Sequence, residues 1–204
     1  MNSAFISSLM VKRLLASIAL LLTATTMMAQ YNIFARMNGI PNGHPKQVII
    51  NDGQECHNYD AEGRLISAKD SMFELQYKWD GDIVTIENYQ NGVLNGSDMV
   101  LITCNTPEKI VLTTESGLVI TTYFNKNNIG YLSQIEGGGQ SMEIESIFLS
   151  PDDYFPYATL QTSGNMSDQC EWSDWVTDAQ GNWISNTITY NGQSMTQTRS
   201  ITYY

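Results

Sequence analysis

Few residues in this chain have types and spacings suited to chemistry. Glu143 and Glu145 stand two apart in an alternating stretch, so they share one strand face, about 7 Å apart at a rise of roughly 3.3 Å per residue. Carboxylate pairs hydrolyse glycosides when they flank a substrate and one of them has a raised pKa. Two neighbours on one strand face do not meet that requirement, and a solvated face accounts for them. Asp152-Asp153, in a proline-rich loop, reads the same way. Trp172, Trp175 and Trp183 lie near the C-terminus with Tyr190, Tyr203 and Tyr204. Exposed flat rings of this kind can stack on the C–H faces of sugars, which makes the three tryptophans candidate binding residues. Core packing is the plainer account of the same rings.

Other constellations are weaker. Asp80-Gly81-Asp82, Asp178 and Asn182 offer hard oxygen ligands of the kind calcium takes, but without an EF-hand loop, and Asp in a turn normally caps backbone amides. Cys56 and His57 are adjacent, so on a strand they point to opposite faces and cannot pair. With two histidines in the chain, general-base work would fall to carboxylates. No nucleophile elbow, metal-binding histidine pair or phosphate-cradling glycine loop is present. The expectation is no catalytic residue, no cofactor and no metal site.

The elements that would position these residues are strands and turns. Hydrophobic residues make up 42% of the 204, and charged residues only 15%. The polar remainder is rich in Asn, Gln, Ser, Thr and Gly, a balance poor in helix formers. Residues 1–29 read as a signal peptide, with Lys12 and Arg13 before an apolar run from Leu14 to Leu22 and Ala29 at the cleavage point. Met10 is an alternative start. That run is short for a membrane span, which takes about 20 apolar residues. Two of the ten basic residues and none of the 21 acidic ones lie in this leader, so the remainder carries a net charge near −13. Such acidity argues against nucleic acid and anionic membrane as partners. The three cysteines, Cys56, Cys104 and Cys170, allow one disulfide plus a thiol or three thiols, and their spacing does not suit zinc.

From Gln47 onward, alternating segments are separated by turn signals. Asp52-Gly53 predicts a hairpin, and Phe73, Leu75, Tyr77 and Trp79 share one strand face. Residues 30–46 read as an irregular lead-in whose Ile33, Phe34 and Met37 can dock on a core. The loop at 150–157 is expected to pack through Tyr154 and Phe155. Asp60-Ala61-Glu62-Gly63 recurs as Asp178-Ala179-Gln180-Gly181, and Asn125 stands at the same place after an aromatic. About twelve strands in succession predict one all-β domain over 30–204, an antiparallel meander of hairpins forming one extended or curled sheet behind an N-terminal signal helix. At its end, Asn191-Gly192 as a two-residue loop sets Tyr190 against Gln193, Ile188 against Met195 and Thr187 against Thr196. That register predicts a buried face with Ile184, Ile188, Tyr190, Met195, Ile201 and Tyr203, along which Arg199 lays its stem.

Tyr59-Asp60-Ala61-Glu62-Gly63-Arg64-Leu65 resembles the YD (Rhs-type) repeat, whose signature is Tyr-Asp, two variable residues, Gly, then Arg or Asn. Asp178, Gly181, Asn182 and Trp183, followed by Asn191-Gly192 and Arg199, are similar to the closing segment of small secreted YD-like proteins of Bacteroidetes type. Thr177 departs from the pattern where Tyr is usual. The resemblance implies β-hairpin repeats and export, and it implies no reaction. The expected function is therefore a non-enzymatic surface, scaffold or ligand-binding module, exported to the periplasm, cell surface or medium. The expected partner is a glycan or a surface protein. The alternative is a glycan-binding or glycan-hydrolysing protein using strand carboxylates and the C-terminal aromatics.

Overall fold

A computed structural model describes residues 33–204 except 41 and 151, so the segment 1–29, expected as a signal peptide with its helix, lies outside the described residues. One short helix, α1 (Ile33–Met37), precedes fourteen strands. These are β1 (Pro45–Ile50), β2 (Glu55–Tyr59), β3 (Leu65–Lys69), β4 (Phe73–Asp80), β5 (Ile83–Gln90), β6 (Val93–Asn105) and β7 (Lys109–Thr114). The chain continues through β8 (Val119–Phe124), β9 (Gly130–Gly137), β10 (Gln140–Ile147), β11 (Ala158–Ser163), β12 (Met166–Thr177), β13 (Trp183–Tyr190) and β14 (Gln193–Tyr203). Each strand pairs antiparallel with its sequence neighbours. β1 also pairs with β14, through Val48 opposite Ile201 and Ile50 opposite Arg199, so the sheet closes into a barrel.

The all-β meander is present, but the sheet is not open, and closure leaves it without a free edge. Fourteen strands stand where about a dozen were expected, and two polar stretches expected as a turn and a link belong to strands. Asn95-Gly96 sits inside β6 at a bulge opposite Asn88 and Tyr89, and Met166 to Asp168 open β12. The Asp52-Gly53 turn is wider than a two-residue loop. Asn51, Asp52 and Gly53 all take positive φ.

The last hairpin has the expected register, with Tyr190 opposite Gln193, Ile188 opposite Met195 and Thr187 opposite Thr196. Its burial is graded along the barrel axis. Arg199 and Asn186 are buried, whereas Met195 is 59% exposed and Tyr190 42%. Both point inward, towards the end of the barrel that carries the Asn191-Gly192 turn.

The two ends differ in what fills them. Fourteen strands enclose more space than their own side chains fill, so the interior needs other material. At one end α1 and the segment after it supply it. Ile33, Ala35 and Ile40 are wholly buried, packed against Val84, Val100, Ile102 and Ile110 on one side and Val48, Tyr59 and Leu65 on the other. Phe34 lies edge-on to Trp79, 5.6 Å between centroids. The expected irregular lead-in is thus a plug, and its apolar residues form the centre of the core.

The recurrent turns all lie at the plugged end. In each, a side-chain oxygen at the first position accepts two backbone amides: Asp60 from Glu62 and Arg64, Asn125 from Asn127 and Ile129, Asp178 from Gln180 and Asn182. The fourth residue of each turn, Gly63, Asn128 or Gly181, has a φ of 84°, 62° or 84°. Glycine and asparagine tolerate that left-handed conformation best.

Candidate functional site

The plug is held by polar side chains that reach it from the wall and the turns. Arg36 of α1 donates to the carbonyls of Thr106 and Pro107 and to Asn128 Oδ1, with its guanidinium over the Phe124 ring. From β14, Arg199 donates to the carbonyls of Asn38, Gly39 and Trp183 at 3.0, 2.7 and 2.5 Å. Burial lowers the pKa of Arg199, and Tyr59, Tyr203 and Asp178 oppose that shift. With three carbonyls on its donors, the guanidinium stays the cation. Asn182 exchanges hydrogen bonds with the backbone of Asn42 and donates to Tyr203 Oη, which donates to Asp178 Oδ2. Burial, and then that bond to Asp178, push the Tyr203 pKa up to about 12. Asp178, Asn182 and Arg199, noted in the sequence as a repeat motif, are therefore clamps on the plug. Asp60 ties its own turn through Arg64 Nε at 2.6 Å. Asn191 and Gly192 turn the chain at the far end of the barrel.

The three tryptophans come together. Trp172 and Trp175 stack at 5.6 Å, Phe155 stacks on Trp175 at 4.6 Å, and Trp183 meets Trp175 edge-on at 6.1 Å. Their surroundings are already engaged. Trp172 Nε1 donates to Thr159 and Trp175 Nε1 to the Pro156 carbonyl, while Arg199 covers the Trp183 ring. The loop carrying Tyr154 and Phe155 packs as expected, with Tyr154 Oη accepting from Asn42.

Wall chemistry follows the alternation of the strands. Inward positions near the plug are apolar. Outward positions include Glu74, Gln76 and Lys78 on β4, Glu87 on β5 and the Ser185, Thr187 and Thr189 row on β13. Lys78 pairs with Glu87 across two strands on this outer face. Glu143 and Glu145 are outward too, and Glu143 accepts from Gln134 at 3.0 Å. Cys56 points out and His57 in, as adjacent strand residues must, and all three cysteines are free. Among the described residues no three His, Cys, Asp or Glu side chains converge to hold a metal.

Two hollows stand out. One lies on the outer wall, about 390 Å³, between Ile66 and Tyr204 over Gln47, Asn58 and Ser67. Its amides are tied to one another, Gln47 to Asn58 and Asn58 to Ser67. The other, about 310 Å³, opens at the unplugged end between Glu55, Ala68, Phe73, Leu75 and Asn88. Beside it His57 is 8% exposed, with Nε2 2.5 Å from Glu55 Oε1. Sequence reasoning passed over Glu55 and Asn88, and weighed His57 only against Cys56. The usable signal was the two-residue spacing of Glu55 and His57, which puts both on one strand face.

No family model matches this chain, and no curated protein matches it. Among solved structures, a porin-like protein from Bacteroides vulgatus superposes with a TM-score of 0.45 and 10% identity, covering 79% of this chain and 99% of that one. A likeness at that level carries no argument. Barrel closure rests on the strand pairings of this chain.

Proposed function

We propose that this chain is an exported, non-enzymatic β-barrel that works as a cup: sealed by its own N-terminal segment at one end, and binding a small ligand through the other. The observation that carries this reading is the graded interior. Plugged-end side chains such as Ile110 and Val84 are wholly buried, while the inward Tyr190 and Met195 at the opposite end stay accessible. A solvent-reachable hollow that also has apolar walls is the usual form of a small-molecule site. The outer wall supports a barrel in water, since a lipid-facing barrel carries an outward apolar band flanked by aromatic girdles. Glu74, Lys78, Glu87, Glu143 and Glu145 on strand exteriors suit water instead. The leader at 1–29 supports export to the periplasm, surface or medium.

The self-stacked tryptophans and the outward Glu143 and Glu145 favour the non-enzymatic reading over glycan hydrolysis. The shared hydrogen-bond pattern of the Asp60 and Asp178 turns supports kinship with the YD repeat.

The test is fluorescence of the neutral probe N-phenyl-1-naphthylamine added to the full chain. Enhancement is expected, weakened several-fold by Met195→Lys and untouched by Thr196→Lys, its outward neighbour. Equal effects of the two variants, or no enhancement, would count against the cup. Recovery of the exported chain in the membrane fraction after carbonate washing would count against the barrel in water.

A further inference from the structure

The hollow at the open end has a polar lining made of hydrogen-bond acceptors. Its floor follows from register. His57 on β2 faces Ala68 on β3, Ala68 faces Leu75 on β4, Leu75 faces Asn88 on β5, and Asn88 faces Gly96 on β6. All five positions point into the barrel. The row is recessed because two of its members are small: Ala68 ends at Cβ, and a Cβ on Gly96 would meet nothing within 4 Å. Phe73 and Leu75 give the recess its apolar side, and Glu55 and Asp70 border it.

The acceptors are specific atoms. Glu55 Oε1 lies 2.5 Å from His57 Nε2, and a carboxylate only accepts, so Nε2 carries a proton. His57 Nδ1 is buried and without a partner. Asn88 Oδ1 is a buried acceptor with no donor. A buried acceptor left unpaired is costly, so Asn88 Oδ1 marks a place where a donor is wanted. Asp98 opposite Ile86 adds another inward carboxylate near Asn88. The one cationic side chain at the rim, Lys69, lies 3.8 Å from Glu74 on the outer face.

From this arrangement we infer that the recess takes a small organic cation: a primary or secondary ammonium on a short apolar arm. The ammonium donates to Glu55 and Asn88, and the arm lies along Ala68, Leu75 and Phe73. An anion would meet the carboxylates of Glu55 and Asp70. A neutral alcohol brings one donor and no charge. A volume near 310 Å³ is at the small end of ligand pockets, which limits the arm to about one ring. The inference rests on the cup reading and adds the ligand's chemical class to it.

Isothermal titration of the full chain with three molecules sharing a ring provides the test: 2-phenylethylammonium, 2-phenylethanol and phenylacetate. The ammonium is expected to bind about tenfold tighter than the alcohol, as one charge-assisted hydrogen bond supplies, and the acetate not to bind. Glu55→Gln should remove that preference and leave the alcohol's affinity unchanged. Ala68→Leu should fill the recess and abolish both. Equal binding of ammonium and alcohol, or tighter binding of the acetate, overturns the cation while leaving the cup. Loss of all three with the naphthylamine probe still bound overturns the recess alone. Loss of all four ligands overturns both readings. If Ala68→Leu does not fold, Glu55→Gln decides.

Discussion

The guanidinium of Arg199 lies 3.7 Å from the centroid of the Trp183 ring, and its Nε donates to the backbone carbonyl of the same residue. One side chain thus stacks on a ring of the wall, bonds that residue's backbone, and reaches past it to Asn38 and Gly39 of the plug. The plug is joined to the last strand of the barrel by a cation whose donors are taken up by carbonyls.

Arg199→Met keeps most of the stem and removes the donors. It leaves the part-buried carbonyls of Asn38, Gly39 and Trp183 short of a partner, each costing about 1 kcal/mol. A loss of about 3 kcal/mol is expected in urea unfolding, with Arg199→Lys recovering part of it. A loss below about 1 kcal/mol would mean that the plug does not depend on this clamp.

Asn186 makes the opposite prediction. It is wholly buried, and neither its Oδ1 nor its Nδ2 has a partner. Asn186→Leu replaces an unsatisfied amide with an apolar group of similar size, so a gain of about 1–3 kcal/mol is expected. Destabilisation by this change would reveal a bound water or ligand on the amide in solution.

The repeated turns differ in how far they engage the plug. Asp60→Ala removes a carboxylate whose Oδ1 accepts two amides and whose Oδ2 accepts from Arg64 Nε, and should cost about 1–2 kcal/mol. Asp178→Ala should cost more, because Asp178 also accepts from Tyr203 in the plug's network. Thermal melting of the two variants side by side checks the order, and equal shifts would contradict it.

Alkaline pH tests the core around the plug. Burial pushes the Tyr59 pKa up to about 12, against an ordinary value near 10. Above pH 10 the unfolded chain gives up this proton while the folded chain keeps it. The folded state then binds more protons, and stability falls as pH rises from 10 to 12. Tyr59→Phe lacks the group, so its unfolding free energy should fall less over that window, by on the order of 2 kcal/mol. Parallel pH profiles for the two proteins would place Tyr59 in water.

Much of the barrel wall was legible locally. The Asn191-Gly192 turn and the period of two set the register of β13 and β14, since a one-residue slip would reverse every side chain. The Asp60, Asn125 and Asp178 turns were visible because their capping oxygens act within five residues. The ligand recess was not legible, because His57, Ala68, Leu75 and Asn88 adjoin only through pairing across four strands. Trp172, Trp175 and Trp183 could not be placed inside or outside from their spacing, because the bulge before Val176 shifts the alternation, with Asp174 at φ 52°.

By itself, then, the sequence determined strands, turns and which faces alternate, all consequences of contacts between near neighbours along the chain. Tertiary structure alone decided that β1 meets β14 and that residues 33–40 enter the barrel instead of lying along it. The first depends on twist and curvature summed over fourteen strands, and the second on an interior that exists once the wall has closed. In the sequence Arg199 was expected only to lay its stem along the inner face, and Arg36 did not stand out. They are buried because the carbonyls that satisfy them come from segments about 70 and 160 residues away, and closure is what brings those segments within reach.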